Sequence, residues 1–180
     1  KDRLRQAYRF LFGQENWWLF DQLLEAEKQA NVSAVFHFHA DHRRKNLKRW
    51  LFDPAYNVDA PACRDLLQQL REAGHEIGVH PGFDAWKNPG LIEESRDIMQ
   101  LAAQSSVTHC RQHWLRFSWR ETWIAQARAG LTHDTTLMFN DRPGYRTSSA
   151  LSWRPWDPVQ KKAEGIMVRP TVLMDSHCYD

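Results

Sequence analysis

Paired cysteines are absent from this sequence. Its three cysteines, Cys63, Cys110 and Cys178, lie far apart and form no CxxC spacing. An odd number of cysteines without such spacing argues against a disulfide framework and against a structural zinc knuckle. We therefore expect reduced, buried thiols, which are typical of a cytoplasmic protein.

Long apolar runs and a strong charge of one sign are absent as well. No stretch approaches the ~20 apolar residues of a membrane-spanning helix, and no signal peptide is visible. The net charge is only +2, with 24 basic and 22 acidic residues interspersed along the chain, which is too mild to imply a nucleic-acid partner. These features favour a globular, cytoplasmic protein without a membrane span and leave its oligomeric state open.

Tryptophan, by contrast, is abundant, with nine residues in 180. Several lie in segments that we interpret as loops or strand ends: Trp86, Trp114, Trp119, Trp153 and Trp156. Aromatic rings in such places often line carbohydrate sites, because the apolar C–H face of a sugar stacks on a ring. Core packing would use the same residues, so their number alone does not decide between the two.

Hydrophobic periodicity predicts alternating helices and strands. The predicted helices cover residues 17–30, 61–73, 91–104 and 118–129, and the predicted strands cover 33–39, 75–80, 107–110 and 131–134, with a last β-like run at 171–175. Pro61 suits a first helical turn, and Ser118 with Glu121 forms a capping-box pattern. This alternation predicts an α/β protein with parallel strands and a single domain.

Polar side chains follow consecutive predicted strands. They are His37, His39, Asp41 and His42, then His80 and Asp84, then Arg111, His113 and Arg116, and finally Asp134, Thr135, Tyr145 and Arg146. In α/β barrels the active site lies at the carboxyl ends of the strands. Imidazole, carboxylate and guanidinium groups that converge there suit a divalent metal and an anionic transition state. The charged run at 41–45 is otherwise interpreted as a solvated loop.

The most specific segment is GHEIGVHPGFD, residues 74–84. It resembles the second motif of the polysaccharide deacetylase (NodB-homology) family, in which a strand ends at a metal-binding His. Residues 111–117, RQHWLRF, resemble the Arg-containing third motif of a divergent branch, and residues 129–136 and 144–147 resemble two further stretches of that branch. The resemblance covers most of the chain. It implies a distorted, incomplete (β/α) barrel, with residues 1–180 as one catalytic domain.

The resemblance also implies an activity, which is the metal-dependent removal of an N-acetyl group from a sugar or polysaccharide in surface-polysaccharide or O-antigen assembly. His80 would bind the metal, for which we expect Zn²⁺. The second metal His of the motif is replaced by Asp84, so either Asp84 or His113 would supply the next ligand. Arg111 would orient the catalytic carboxylate or the substrate, and His113 could instead transfer a proton. The residues expected to bind the carbohydrate are Arg116, Arg146 and Trp114.

Two features of the family do not occur in the sequence. Residues 1–16 hold no Asp pair, where the family has a metal ligand and the catalytic base, and no Leu-x-His acid motif is found before Asp180. We therefore expect the chain to be a fragment whose first and last strands lie outside it, and to be inactive by itself.

Two other functions remain open. His37 and His39 lie two residues apart and share one face of a strand, which is how the metal sites of amidohydrolases and PHP-type phosphoesterases begin. Those families, however, do not carry the GHEIGVH segment. The second alternative is a non-catalytic carbohydrate-binding domain that uses its tryptophans.

Overall fold

The computed structural model describes residues 4, 8, 12, 13, 18–174 and 177 and divides the chain into two compact units, residues 1–34 and 35–180. In the first unit, helix α1 spans Phe20–Ala30 and ends at Asn31, which takes the left-handed conformation (φ 53°). The predicted start of this helix at Trp17 lies outside the described residues. Residues 18 and 19 are not helical.

The second unit contains a five-stranded, fully parallel sheet. Its strands are β1 (Val35–His39), β2 (Glu76–His80), β3 (His109–Cys110), β4 (His133–Asp134) and β7 (Met167–Val168), in the order β1-β2-β3-β4-β7. A separate antiparallel pair, β5 (Trp156–Asp157) and β6 (Lys162–Ala163), precedes β7. The predicted α/β class with parallel strands is confirmed, and closure into a barrel stays a prediction.

The helices of this unit are α2 (Leu47–Phe52), α3 (Pro61–Glu72), α4 (Pro89–Ala103) and α5 (Thr122–Arg128), with short 3₁₀ turns at Ala85–Lys87 and His113–Leu115. Local signals set two of the starts. Pro61 occupies the first turn of α3, where its missing N–H costs nothing. The side chain of Asn88 caps α4 by accepting a hydrogen bond from the Leu91 N–H at 3.2 Å.

Two local predictions are wrong, and one short helix was missed. The capping box does not form, because the Ser118 N–H donates to the Thr122 hydroxyl at 2.9 Å and the Ser118 hydroxyl accepts from the Arg120 N–H at 3.3 Å. Helix α5 begins only at Thr122. The short helix α2 was not predicted, since six residues hold too little periodicity to detect. Residues 171–174 are not a strand, whereas Met167–Val168 is one; Asp175 lies outside the described residues.

The two faces of the sheet differ in polarity. Phe38, Ile77, Val79 and Cys110 are buried on one face. Helices α3 and α4 contact β2, and their buried side chains include Leu66, Leu67, Leu70, Ile92 and Met99. The register pairs His37 with Gly78 and His39 with His80, so strand alternation puts the histidines on the opposite face. His75, which precedes β2, packs instead beside Phe36, with ring centroids 5.3 Å apart.

Candidate metal centre

The candidate site lies at the carboxyl edge of β1, β2 and β3. His39 and His80 are the last residues of their strands and are partners in the β1–β2 register. His113 follows β3 and begins a tight turn in which Trp114 (φ 56°) and Leu115 (φ 50°) both take left-handed backbone conformations. Such conformations are costly for residues other than glycine. This turn brings the His113 ring back against the end of β2.

His80 and His113 form a close pair. Nε2 of His80 lies 2.7 Å from Nδ1 of His113, and Nε2 of His113 lies 2.5 Å from the Phe52 carbonyl oxygen. Because a carbonyl can only accept, the His113 proton is on Nε2, and its Nδ1 carries a lone pair toward His80. Burial, followed by the nearby His113 ring, lowers the pKa of His80 to about 3, so His80 is neutral at physiological pH. A hydrogen bond with the Arg111 backbone acts in the opposite direction.

His39 is arranged in a similar way. It is 4 % exposed, and its Nδ1 lies 3.2 Å from the His80 carbonyl oxygen, so Nδ1 carries the proton and Nε2 the lone pair. Its backbone N–H donates to the Tyr56 hydroxyl at 2.5 Å. Burial lowers the pKa of His39, although Asp53 raises it. His39 is therefore a second neutral imidazole at this edge, with its ring orientation set by the backbone of the neighbouring strand.

His39 also belongs to a buried group that could hold a metal ion. Ligand atoms of His39, Asp41 and Asp53 all lie within 4.8 Å of one another, and among the described residues this is the one group of three or more such side chains. Imidazole nitrogen and carboxylate oxygen are both accepted by zinc. The donor set therefore fits a divalent cation in its chemistry, while its metal identity is open.

Two arginines contact these carboxylates: Arg43 pairs with Asp41, and Arg49 with both Asp41 and Asp53. Arg43 bonds Asp41 with its NH2 group at 2.6 Å and its Nε at 3.1 Å, and an NH2 nitrogen of the buried Arg49 lies 2.6 Å from Asp41 Oδ2. The Arg49 contact is an ion pair without hydrogen-bond geometry, since that NH2 has no hydrogen-bond partner. Burial raises the pKa of Asp41, but the hydrogen bonds from Arg43 outweigh it and the net pKa is lowered. The expectation that residues 41–45 form a solvated loop is wrong for Asp41, whose side chain is 2 % exposed.

Asp53 is oriented by different contacts. Its Oδ1 accepts a hydrogen bond from the Phe83 N–H at 2.8 Å, and its Oδ2 lies 3.4 Å from Nε of Arg49. The residue just before it, Phe52, supplies the carbonyl that holds both His113 and the indole N–H of Trp114, the latter at 3.2 Å. The Phe52 carbonyl thus orients His113 and Trp114, while the Asp53 carboxylate lies beside His39.

Arg111 borders the site. Its Nε donates to the Thr135 hydroxyl at 3.2 Å, and burial lowers its pKa, against the opposing charge of Asp134. Its charge also depresses the pKa values of His37 and His80, which shows that the cation lies near these rings. A catalytic role for Arg111 stays a prediction.

Other residues from the sequence motifs have structural contacts. Asp84 pairs with Lys48 at 2.6 Å and with Arg116 at 3.8 Å. The Arg116 guanidinium also donates to the Phe83 carbonyl at 2.7 Å and lies 4.1 Å from the centre of the Phe83 ring. Trp114 is 58 % exposed at the rim of the site. Arg146 lies in the partly buried stretch 144–147, and no contact described for it reaches the histidines.

His37 does not join the metal group. Its ring lies over Gly78, where a Cβ would be 2.6 Å from His37 Cδ2, and its Nε2 is 3.3 Å from the Thr135 hydroxyl. Burial, followed by the charge of Arg111, lowers its pKa well below the usual value. Of the two histidines in the HxH pattern, only His39 therefore shares a metal-capable group.

Asp53, Arg49 and the Phe52 carbonyl were not anticipated from the sequence. The one local signal was Asp53 followed by Pro54 after an apolar stretch, a combination that marks only the end of a helix. Within the described ranges, no helix combines the length and apolar character needed to cross a bilayer. No protein-family model matches the chain, and the search of curated proteins returned no match.

Proposed function

We propose that the function of this protein is the metal-dependent hydrolytic removal of N-acetyl groups from a carbohydrate. The observation that carries the proposal is the anchoring of two imidazoles at one edge of the sheet. His39 and His113 each donate their ring N–H to a backbone carbonyl, those of His80 and Phe52. Metal-ligating histidines use this arrangement, because it fixes the tautomer and aims the lone pair of the other nitrogen at the ion.

The expected nitrogen ligands are His80 and His113, the pair that the family motifs suggest, with His39 beside them. A ligand role suits His113 better than proton transfer, since its only N–H is already given to the Phe52 carbonyl. Asp84 is the weaker candidate of the two alternatives, because its carboxylate is paired with Lys48. The lowered pKa values of His80 and His39 suit zinc, which competes with protons for the same lone pairs.

A bound zinc ion would polarise the acetyl carbonyl and activate water for its hydrolysis. Arg111 supplies a buried positive charge next to the histidines, where negative charge develops on the carbonyl oxygen. The exposed Trp114 ring stands at the rim, where it would stack on a sugar. Arg116 and Arg146 as substrate contacts, and the placement in cytoplasmic assembly of a surface polysaccharide, belong to the same proposal.

The test is zinc binding by the purified 180-residue chain, measured by titration calorimetry and metal analysis. We expect the wild type to bind zinc stoichiometrically and His80→Ala to lose it. His75→Ala is the matched control, since it removes a histidine that precedes β2 and packs beside Phe36. A folded wild type that binds no zinc contradicts the proposal. Acetate release from N-acetylated sugars is then measured with the full-length protein.

The HxH type of metal hydrolase remains the second candidate, because His39 does lie in a metal-capable group. In that function His37 is a ligand as well, whereas in a deacetylase it is not. Replacing His37 alone separates the two. Loss of zinc in His37→Ala, with His80→Ala still binding it, favours the HxH enzyme.

A further inference from the structure

Two carboxylates, Asp41 and Asp53, each have a ligand atom within 4.8 Å of one on His39, but their surroundings differ. An ionised carboxylate offers about four lone pairs on its two oxygens, so the two acids can be compared by how many of these lone pairs already accept a contact. A carboxylate whose lone pairs are all engaged has none left for a cation.

Asp41 is saturated. Its Oδ1 accepts from the backbone N–H of Arg43 at 2.8 Å and from Nε of Arg43 at 3.1 Å. Its Oδ2 is contacted by Nε of Arg43 at 3.1 Å, by NH2 of Arg43 at 2.6 Å and by NH2 of Arg49 at 2.6 Å. A metal ion bound to Asp41 would have to displace a guanidinium and would then lie beside two positive charges.

Asp53 is only partly engaged. The Phe83 N–H holds Oδ1 at 2.8 Å and so fixes the plane of the carboxylate. The contact described for Oδ2 is Nε of Arg49 at 3.4 Å, which is long beside the ~2.7–2.9 Å of charge-assisted hydrogen bonds. The side chain is 1 % exposed, and a buried carboxylate with spare lone pairs calls for a further cationic partner.

His39 is a second buried member of the metal-capable group whose hydrogen-bonding capacity is only partly used. It is 96 % buried, being 4 % exposed, and its proton is committed to the His80 carbonyl through Nδ1, so its Nε2 lone pair has no hydrogen bond among those described. A cavity of about 460 Å³ opens beside it and is lined by His39, Asp41 and Tyr56, among others, but not by Asp53. An ion could reach the His39 ring from solvent by this route.

We infer that Asp53, through Oδ2, is the carboxylate ligand that joins His39 at the metal site, whereas Asp41 maintains the shape of the site by fixing Arg43 and Arg49. The inference rests on the proposed function and assigns to this chain a carboxylate that the family motifs would place outside it. Arg49 has a positioning role, since it touches both acids.

The test compares zinc affinity in Asp53→Asn and Asp41→Asn. Asn at position 53 retains an oxygen for the Phe83 N–H but loses the charged Oδ2. We therefore expect zinc to bind more than about 100-fold more weakly, a larger loss than follows from removing a group that only supports a metal ligand. Asp41→Asn should lower the midpoint of thermal unfolding. It should weaken zinc binding by no more than about 10-fold, the smaller of the losses seen when a supporting group is removed. Circular dichroism confirms that each variant is folded.

Cobalt(II) provides a measurement that does not depend on affinity. The visible spectrum of the cobalt-loaded wild type should change in Asp53→Asn and not in Asp41→Asn, because only the former loses a ligand. Equal zinc affinity and equal cobalt spectra in wild type and Asp53→Asn would overturn the inference while leaving the proposed function intact. A wild type that binds neither metal would overturn both.

Discussion

Nδ1 of His113 lies 2.7 Å from Nε2 of His80, at the meeting point of two strand ends. The proton of His113 is directed away, to the Phe52 carbonyl. The Nδ1 lone pair of His113 therefore faces Nε2 of His80. Either a proton on Nε2 of His80 or a metal ion bound by both rings can occupy this contact, and the two possibilities predict different effects of His113 substitution on zinc affinity.

If the pair holds zinc, His113→Ala should weaken zinc binding by more than about 100-fold, since it removes a ligand and not merely a supporting group. Titration calorimetry measures the affinity, and His133→Ala is the matched control because His133 lies on the same face but stacks on His109. Unchanged zinc affinity in His113→Ala would mean that the contact is a simple hydrogen bond between two rings.

Gly78 permits the His37 ring to cross β2. A Cβ at this position would lie 2.6 Å from His37 Cδ2 and 3.2 Å from His109 Cβ, so Gly78→Ala should destabilise the fold by about 1–3 kcal/mol through overpacking. In a His37→Ala background the main clash is gone and the penalty should shrink. Urea unfolding of the four proteins in this cycle gives the coupling. An equal penalty in both backgrounds would contradict the packing.

His109 should make stability dependent on pH. It is 2 % exposed, and burial lowers its pKa to about 4, although Glu76, 3.0 Å from its Nδ1, opposes this. A folded pKa below the unfolded value of about 6.5 means that the unfolded chain binds more protons between these limits. Stability therefore falls as pH drops from about 6.5 toward 4.

The expected loss from pH 7.5 to pH 5 is about 2 kcal/mol for this group, measured by urea unfolding at the two pH values. His109→Asn should show a smaller loss over the same interval. The groups that face His109 are Glu76, His133 and Arg169, and His133→Asn serves as the comparison because His133 is more exposed. A pH dependence unchanged by His109→Asn would refute the assignment.

We expect Asp134 to stabilise the folded state and to have no effect on zinc affinity. It is fully buried and accepts hydrogen bonds from Gln126 at 2.8 Å, Trp123 at 3.3 Å and the Thr136 hydroxyl at 2.5 Å. Asp134→Ala leaves these donors without a partner and should cost about 3 kcal/mol, with zinc affinity unchanged in the folded fraction. Asp141→Ala, whose side chain is 72 % exposed, is the control and should change stability little. Loss of zinc affinity in folded Asp134→Ala would give Asp134 a role in the site.

Local signals in the sequence predicted the larger elements. Pro61 and Asn88 mark the starts of α3 and α4, and the GHEIGVH segment ends β2 at His80. The edge strand β7 was not found in this way, because it follows the β5–β6 pair and no helix precedes it to mark a helix–strand alternation. Its identity comes from pairing, with His133 opposite Met167 in the register of β4. The run at 171–175 has a similar composition and lacks that partner within the described residues.

The sequence by itself determined that this is an α/β chain with histidines at consecutive strand ends, because strand alternation and the carboxyl-edge rule depend only on local order. Only the tertiary structure decided which groups meet. It places Asp53 close to His39 and pairs Asp84 with Lys48. It also pairs Asp41 with Arg43 and Arg49, so that its carboxylate has no lone pair left for a metal ion. The tautomers of His39 and His113 depend on which carbonyl lies opposite each ring, and that is set by strand register and by a turn held in left-handed backbone conformations. Such contacts join residues far apart in the chain, so no local pattern records them.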